Sequence, residues 1–177
     1  MIVSNFPDTE RLQLRTLKLS DVSEDYLAWM QDPEVNRFLE NRFKDTIDLS
    51  EIAEFVSTIN NSNHSILFGI FRKNDGKHIG NMKLGPIETE HARSVIGYLI
   101  GDRESWGKGY ASEAISAVVR FGFRELGLAK ITAGCYETNI GSAKALSKAG
   151  FTHEATIPSH CICEGERIAS WYFGINS

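Results

Sequence analysis

The stretch Trp106-Gly107-Lys108-Gly109-Tyr110-Ala111 constrains this chain more than any other. It lies between a β-type run, Ser94-Val95-Ile96-Gly97-Tyr98-Leu99-Ile100, and a long amphipathic helix pattern in which Ile115, Val118, Val119, Gly122 and Leu126 form one stripe, ended by Gly127. Glycines let a backbone turn tightly and approach a ligand. Amides at the start of the helix then point inward, and the helix N-terminus adds roughly half a positive charge. Strand, glycine loop and helix together make a site suited to a pyrophosphate. By itself the loop is equally readable as a plain strand-to-helix turn.

Two familiar phosphate patterns do not fit. A P-loop needs Gly-x-x-x-x-Gly-Lys-[Ser/Thr], and here Lys108 is followed by Gly109, so no hydroxyl awaits magnesium. The dinucleotide fingerprint Gly-x-Gly-x-x-Gly fails at its third place, which Ser112 takes.

The rest of the chain supplies a frame for the loop. Residues 10–17 read as a first strand with Leu12, Leu14 and Leu17 on one face. Ser20 predicts the N-cap of a helix carrying Tyr26, Leu27, Trp29 and Met30, which stops before Asp32-Pro33. Pro33 to Leu39 restarts a short helix, and Asp48-Leu49-Ser50-Glu51 opens another with Ile52, Phe55, Val56 and Ile59 as its stripe. Strands follow at 66–71, 78–85 and 93–101, the first two joined by an Asn74-Asp75-Gly76 turn. After the long helix come strand Lys130–Tyr136, helix Asn139–Ala149 ended by Gly150, and closing strands Phe151–Ile157 and Ile168–Ile175. That order predicts one mixed α/β layer around a twisted sheet.

The chain has 177 residues, enough for one domain with a substantial core. Its net charge of −4 gives no pull toward nucleic acid. Three cysteines, Cys135, Cys161 and Cys163, are too few for a disulfide framework or a zinc site and fit a reducing compartment. No run of 18 apolar residues offers a membrane span, and Met1–Asp8 lacks the pattern of a signal peptide. The expectation is a cytoplasmic protein without metal, nucleic-acid or membrane partners.

Downstream stands Asn139-Ile140-Gly141-Ser142-Ala143-Lys144-Ala145-Leu146-Ser147-Lys148-Ala149-Gly150-Phe151. With the glycine loop, and with Leu12-x-Leu14-Arg15, Asp32-Pro33-Glu34-Val35, Ile79-Gly80 and Ile96-Gly97-Tyr98, the chain resembles the GCN5-related N-acetyltransferase (GNAT) superfamily. The likeness is to its branch of ribosomal-protein-alanine and spermidine acetyltransferases. The resemblance implies a single α/β (α+β) domain whose twisted, mixed, mostly antiparallel sheet has about seven strands, flanked by helices and splayed at its centre. It divides the chain into a helical acceptor-binding part at 18–62, an acetyl-CoA core at 64–157 and a C-terminal hairpin at 150–177. A homodimer is left open.

The same resemblance implies the site. Acetyl-CoA is the co-substrate, its pyrophosphate held by backbone amides among Trp106, Gly107, Lys108, Gly109, Tyr110, Ala111 and Ser112. Trp106 departs from the family's usual Gln or Arg. The pantetheine arm lies along Tyr98, Leu99 and Ile100 like an added strand, with an amide near Tyr98–Leu99 facing the oxyanion. Asn139, otherwise a helix N-cap, contacts the cofactor, and Lys144 and Lys148 approach the 3′-phosphate or are solvated. Many relatives place a proton-donating tyrosine where Leu146 stands here, and Ser142, one turn earlier, is the branch's substitute.

For the base, Glu137 is the preferred carboxylate over Glu40, Glu88 and Glu90. None of the histidines at 64, 78, 91, 153 and 160 has a triad partner in view. The acceptor is expected near Trp29, Phe38, Glu40 and Arg42, with His160 in the Ser159–Glu166 loop. Arg42 with Arg37 suits a phosphate or carboxylate on the acceptor, or both are surface charges. The acceptor is a protein N-terminus, a polyamine, an aminoglycoside or an amino sugar. The alternative is a non-catalytic acyl-CoA-binding module that regulates a partner.

Overall fold

The computed structural model describes residues 6–177; residues 1–5, part of the segment read above for a leader, lie outside them. The strands are β1 Leu12–Thr16, β2 Ile66–Arg72, β3 His78–Glu88, β4 Arg93–Ile100, β5 Lys130–Tyr136, β6 Thr152–Cys163 and β7 Glu166–Asn176. They form one sheet in the order β1-β2-β3-β4-β5-β7-β6. Every neighbouring pair is antiparallel except β4 and β5. That pair is parallel because its connection is a crossover helix, α4 (Tyr110–Glu125), rather than a tight turn.

The remaining helices are α1 Glu24–Gln31, α2 Pro33–Asn36, α3 Leu49–Asn60 and α5 Ile140–Lys148. α3 starts as its sequence dictates, with a capping box in which Asp48 accepts from the amide of Glu51 and Glu51 from that of Asp48. α1 does not start at Ser20. Arg15 binds both oxygens of Asp21 at 2.7 Å, which holds Leu19–Asp21 in a separate 3-10 turn. The helix begins at the next hydroxyl, Ser23, which accepts from the amide of Tyr26.

Two hydrophobic cores lie on opposite faces of the sheet. The larger packs α4 and α5 on one face, with Phe68, Ile115, Ile131 and Leu146 at its centre. The smaller packs α1–α3 on the other, around Trp29, Val56, Leu67 and Phe71. Fully burying a side chain such as Phe68 or Leu146 stabilises the fold by ~1.5–3 kcal/mol. Leu17 belongs to the second core, not with Leu12 and Leu14, because side chains alternate along an extended chain. In α3, Ile52 and Val56 face inward while Phe55 is left exposed.

The feature that makes the site is a gap in the sheet. β4 and β5 pair only at Arg93–Lys130, Ser94–Ile131 and Val95–Thr132. Beyond that, β4 stays paired to β3 as far as Ile100, and β5 to β7 as far as Tyr136. The two strands are therefore drawn apart by their outer neighbours. No helix among the described residues is long and apolar enough to cross a membrane.

Candidate functional site

The splay opens into a cleft of about 940 Å³, walled by the diverging ends of β4 and β5, the start of α4, one face of α5 and residues from α2 and β6. Its first end is built by the glycine loop. Gly101 and Asp102 both donate to the carbonyl of Ile79, and the buried Asp102 accepts from Ser105 at 2.5 Å and from Lys77 at 2.9 Å. Burial pushes the Asp102 carboxyl up, but its bonds to Ser105 and Lys77 and the charges of Lys77 and Arg72 outweigh that, leaving it below the usual carboxylate range. The Trp106 indole donates to the carbonyl of Ile100 at 2.7 Å, tying the loop to the end of β4.

Gly107 and Gly109 then take φ of 72° and 82°, a left-handed backbone that favours glycine. The first bond of α4 runs from Glu113 N to Gly109 O at 3.1 Å. The amides of Tyr110, Ala111 and Ser112 precede that ladder, and these three residues line the cleft. A Cβ on Gly109 would lie 3.6 Å from the Arg11 guanidinium and 3.8 Å from the Lys148 ammonium. Lys148, which has no ion-pair partner among the described residues, thus meets Arg11, itself paired with Glu113 at 2.6 Å, over the start of the helix. Lys144 and Lys148 line the cleft and have no ion-pair partner among the described residues. Lys108 is outside the lining, with its carbonyl accepting from Arg11.

Arg11 is a residue the sequence did not offer. It precedes β1, about a hundred positions from the loop, yet it binds Glu113, caps the carbonyl of Lys108 and lies 4.6 Å over the ring of Tyr110. No local pattern marks it.

At mid-cleft, Tyr98, Leu99 and Ile100 form the β4 wall past the last β5 pair. Asn139 caps α5 by accepting from the amide of Ser142 at 3.1 Å. The Ser142 hydroxyl meets that of Tyr98 at 2.7 Å. Burial raises the Tyr98 phenol to about 12, partly offset by this bond. Leu146, fully buried, faces the main core, while Ser142 faces the cleft.

The far end is formed by Phe38, Tyr136, His160 and the rim carboxylate Glu34. Phe38 packs edge-on to Tyr136 at 5.9 Å. Tyr136 donates to Glu40 at 2.7 Å and accepts from Arg42 at 2.9 Å. Burial and then Glu40 raise its phenol to about 12 against the pull of Arg42. Arg42 also holds the carbonyls of Leu39 and Ile162, and Arg37 pairs with Glu164 at 2.9 Å. The segment 159–163, read above as loop, continues β6. A register shift between Ile157 and Cys161, with Ser159 at φ 51°, turns the adjacent residues His160 and Cys161 both into the cleft.

Some expected residues are elsewhere. Trp29 is 8% exposed and sits in the second core, against Tyr26 and His78. Its large apolar ring satisfies burial there rather than an acceptor. Glu137 braces the sheet: its carboxylate accepts from the amide of Ala169 at 2.7 Å and its amide donates back to that residue's carbonyl. It does not line the cleft. Glu88 pairs with Arg93 at the opposite end of β4. Among the described residues no group of three or more His, Cys, Asp or Glu is placed to hold a metal ion.

Residues 11–152 match the acetyltransferase (GNAT) domain family. Among curated proteins, the chain is 30% identical over 168 residues to the uncharacterized N-acetyltransferase p20 of Bacillus licheniformis, covering 94% of this chain and 93% of that one. It is 34% identical over 160 residues to the uncharacterized N-acetyltransferase YoaA of Bacillus subtilis, covering 89% of each. Among solved structures, a GNAT-family acetyltransferase from Bacillus anthracis superposes with a TM-score of 0.82 at 24% identity, covering 97% of this chain and 98% of that one. The spermidine N-acetyltransferase of Vibrio cholerae, solved with CoA and spermine, superposes with a TM-score of 0.83 at 19% identity over 95% and 96%. These two likenesses are likenesses of fold.

Proposed function

Because the chain belongs to the GNAT acetyltransferase family, we propose that it transfers an acetyl group from acetyl-CoA to a primary amine, within the cleft between β4 and β5. The observation that carries this reading is the loop geometry: two left-handed glycines, three helix-start amides and two converging cations in one place. In this reading the backbone of Gly107–Ser112 holds the pyrophosphate, with Arg11, Lys144 and Lys148 near the phosphates. The open β4 edge at Tyr98–Ile100 binds the pantetheine amides. Trp106 forms the wall at the end of that edge.

Acetyl-CoA supplies the acyl group. The chain's own part is to orient it and manage protons. The amide of Leu99 is the donor proposed for the oxyanion. Ser142 gives a proton to the departing sulfur, and Asn139 fixes the start of the helix that carries it. With Glu137 occupied by Ala169, His160 and Glu34 are the base candidates that line the acceptor end, and the ammonium's proton leaves toward them through water.

The acceptor end supports a cationic amine. Arg37 and Arg42 are both held by partners within the protein, which weakens the case for a phosphate or carboxylate on the acceptor. Glu34 lines the cleft with Phe38 and Tyr136, a setting that suits an ammonium group, while Glu40 is held by Tyr136 and Arg42. A polyamine fits this better than a nucleotide-linked amino sugar, with a protein N-terminus or an aminoglycoside between. Thiol release from acetyl-CoA with each of these amines tests the reading. Turnover with spermidine or spermine well above the nucleotide sugar is expected. Tight acetyl-CoA binding with no thiol release for any amine would favour the non-catalytic module instead.

A further inference from the structure

Tyr98 and Ser142 meet across the splay, one from β4 and one from the first turn of α5, 44 positions apart. Their hydroxyl oxygens are 2.7 Å apart, and the phenol is also 3.2 Å from the Ser142 carbonyl. β4 alternates, so Ile96, Tyr98 and Ile100 share the face that carries α5, and the Tyr98 ring packs against the main core. The ring is thus fixed by packing, and its hydroxyl is delivered to one partner residue.

Each hydroxyl has one proton to place. If Ser142 donated to Tyr98, its proton would point away from the cleft. A phenol is much the better donor of the two, and the contact between the two hydroxyls is shorter than that to the carbonyl. Either oxygen can donate across this contact; the greater acidity of the phenol favours Tyr98 as donor to Ser142 Oγ, which leaves the serine proton to the cleft or to Cys135. The third group at this point is Cys135 on β5, whose thiol is pushed up by burial and lowered by its bond with Ser142.

We propose that Tyr98 is a positioning residue: by donating to Ser142 Oγ it turns the Ser142 proton into the cleft, toward the sulfur that leaves. This rests on the reading of Ser142 as proton donor. The step balances. The amine lone pair forms the C–N bond, the C–S pair departs on sulfur, and sulfur takes the Ser142 proton. The ammonium proton leaves toward His160 and Glu34 before attack, and the second proton shed by nitrogen once the C–N bond has formed returns through water to Ser142, giving amide and thiol.

The test is a double-mutant cycle in steady-state acetyl transfer, using Tyr98→Phe, Ser142→Ala and the pair. Tyr98→Phe keeps the ring, so CoA affinity and thermal midpoint stay near those of the parent. Its kcat is expected to fall ~10-fold with KM for acetyl-CoA little changed, and Ser142→Ala to lose ~10–100-fold. The double variant should be no slower than Ser142→Ala alone, because Tyr98 acts only through that serine. Losses that multiply would overturn the proposal. So would an unchanged kcat in Tyr98→Phe while Ser142→Ala is impaired, which leaves Ser142 as donor but not Tyr98 as its guide. An unchanged kcat in Ser142→Ala would remove the Ser142 reading itself, and the proposal with it.

Discussion

Gly109 stands at φ 82° as the residue from which α4 begins, with Arg11 and Lys148 directly above it. A side chain there meets both strain and ligand. Gly109→Glu would direct a carboxylate at those two cations, taking the place of a phosphate. CoA affinity measured by calorimetry should fall at least ~100-fold, about 2.7 kcal/mol. The fold should survive, at a cost of ~1–3 kcal/mol for the left-handed backbone. Unchanged CoA affinity would refute the assignment of this loop. Lys148→Ala is milder: an exposed cation contributes ~0.2–1 kcal/mol, so the CoA Kd should rise a few-fold at low salt and less at high salt. A salt-independent effect would speak against a direct charge interaction. The glycines were legible in the chain because a left-handed turn before a helix has few substitutes. Arg11 was not, because its role depends on β1 lying beside α4. The two acceptor-side arginines were legible as charges, but their partners Glu164 and Tyr136 come from distant elements.

Strand elements hold the cleft open, and two contacts set where β4 ends. A Cβ on Gly80 would fall 2.1 Å from the carbonyl of Leu99, a backbone atom that cannot turn aside. Gly80→Ala should therefore shift the end of β4, lowering stability by ~1–3 kcal/mol in chemical denaturation and raising KM for acetyl-CoA. A stable variant with unaltered KM would mean that β4 is not held by this approach. Asp102 anchors the loop that follows. Its folded pKa lies below the unfolded value of about 3.9, so its contribution is full above that value and fades as pH falls through the folded one. Asp102→Asn should cost about 2 kcal/mol at neutral pH, with the gap to the parent closing in acid. A gap independent of pH would show that charge is not what the anchor uses. Element identity was readable wherever local chemistry decides it: the capping box of α3, the glycine after α4, the period-2 strands. It failed where a distant partner decides. Asp21 was drawn to Arg15, moving the start of α1, and β6 was prolonged past Ile157 because β7 pairs with it to Cys163.

At the scale of the whole molecule, a sheet with cores on both faces holds its two central strands apart, and the opening has two unlike ends. One gathers Lys144, Lys148 and a helix start; the other has Glu34 with the aromatic rings of Phe38 and Tyr136. An anionic donor and a cationic acceptor would enter from opposite sides and meet at Tyr98 and Ser142. The order of elements and the two motifs made the donor end foreseeable, since helix-start chemistry is local. The acceptor end was not, because it is assembled from α2, β5 and β6 by packing, and Trp29 and Glu137 show how a plausible ring or carboxylate can be taken up by the core or the sheet. The central claim is that this cleft is a coenzyme A site. Thermal unfolding with CoA, ATP or NAD in turn tests it most directly. Stabilisation by CoA, lost in Gly109→Glu and absent with ATP and NAD, is the predicted result. Stabilisation by ATP or NAD but not by CoA would contradict it.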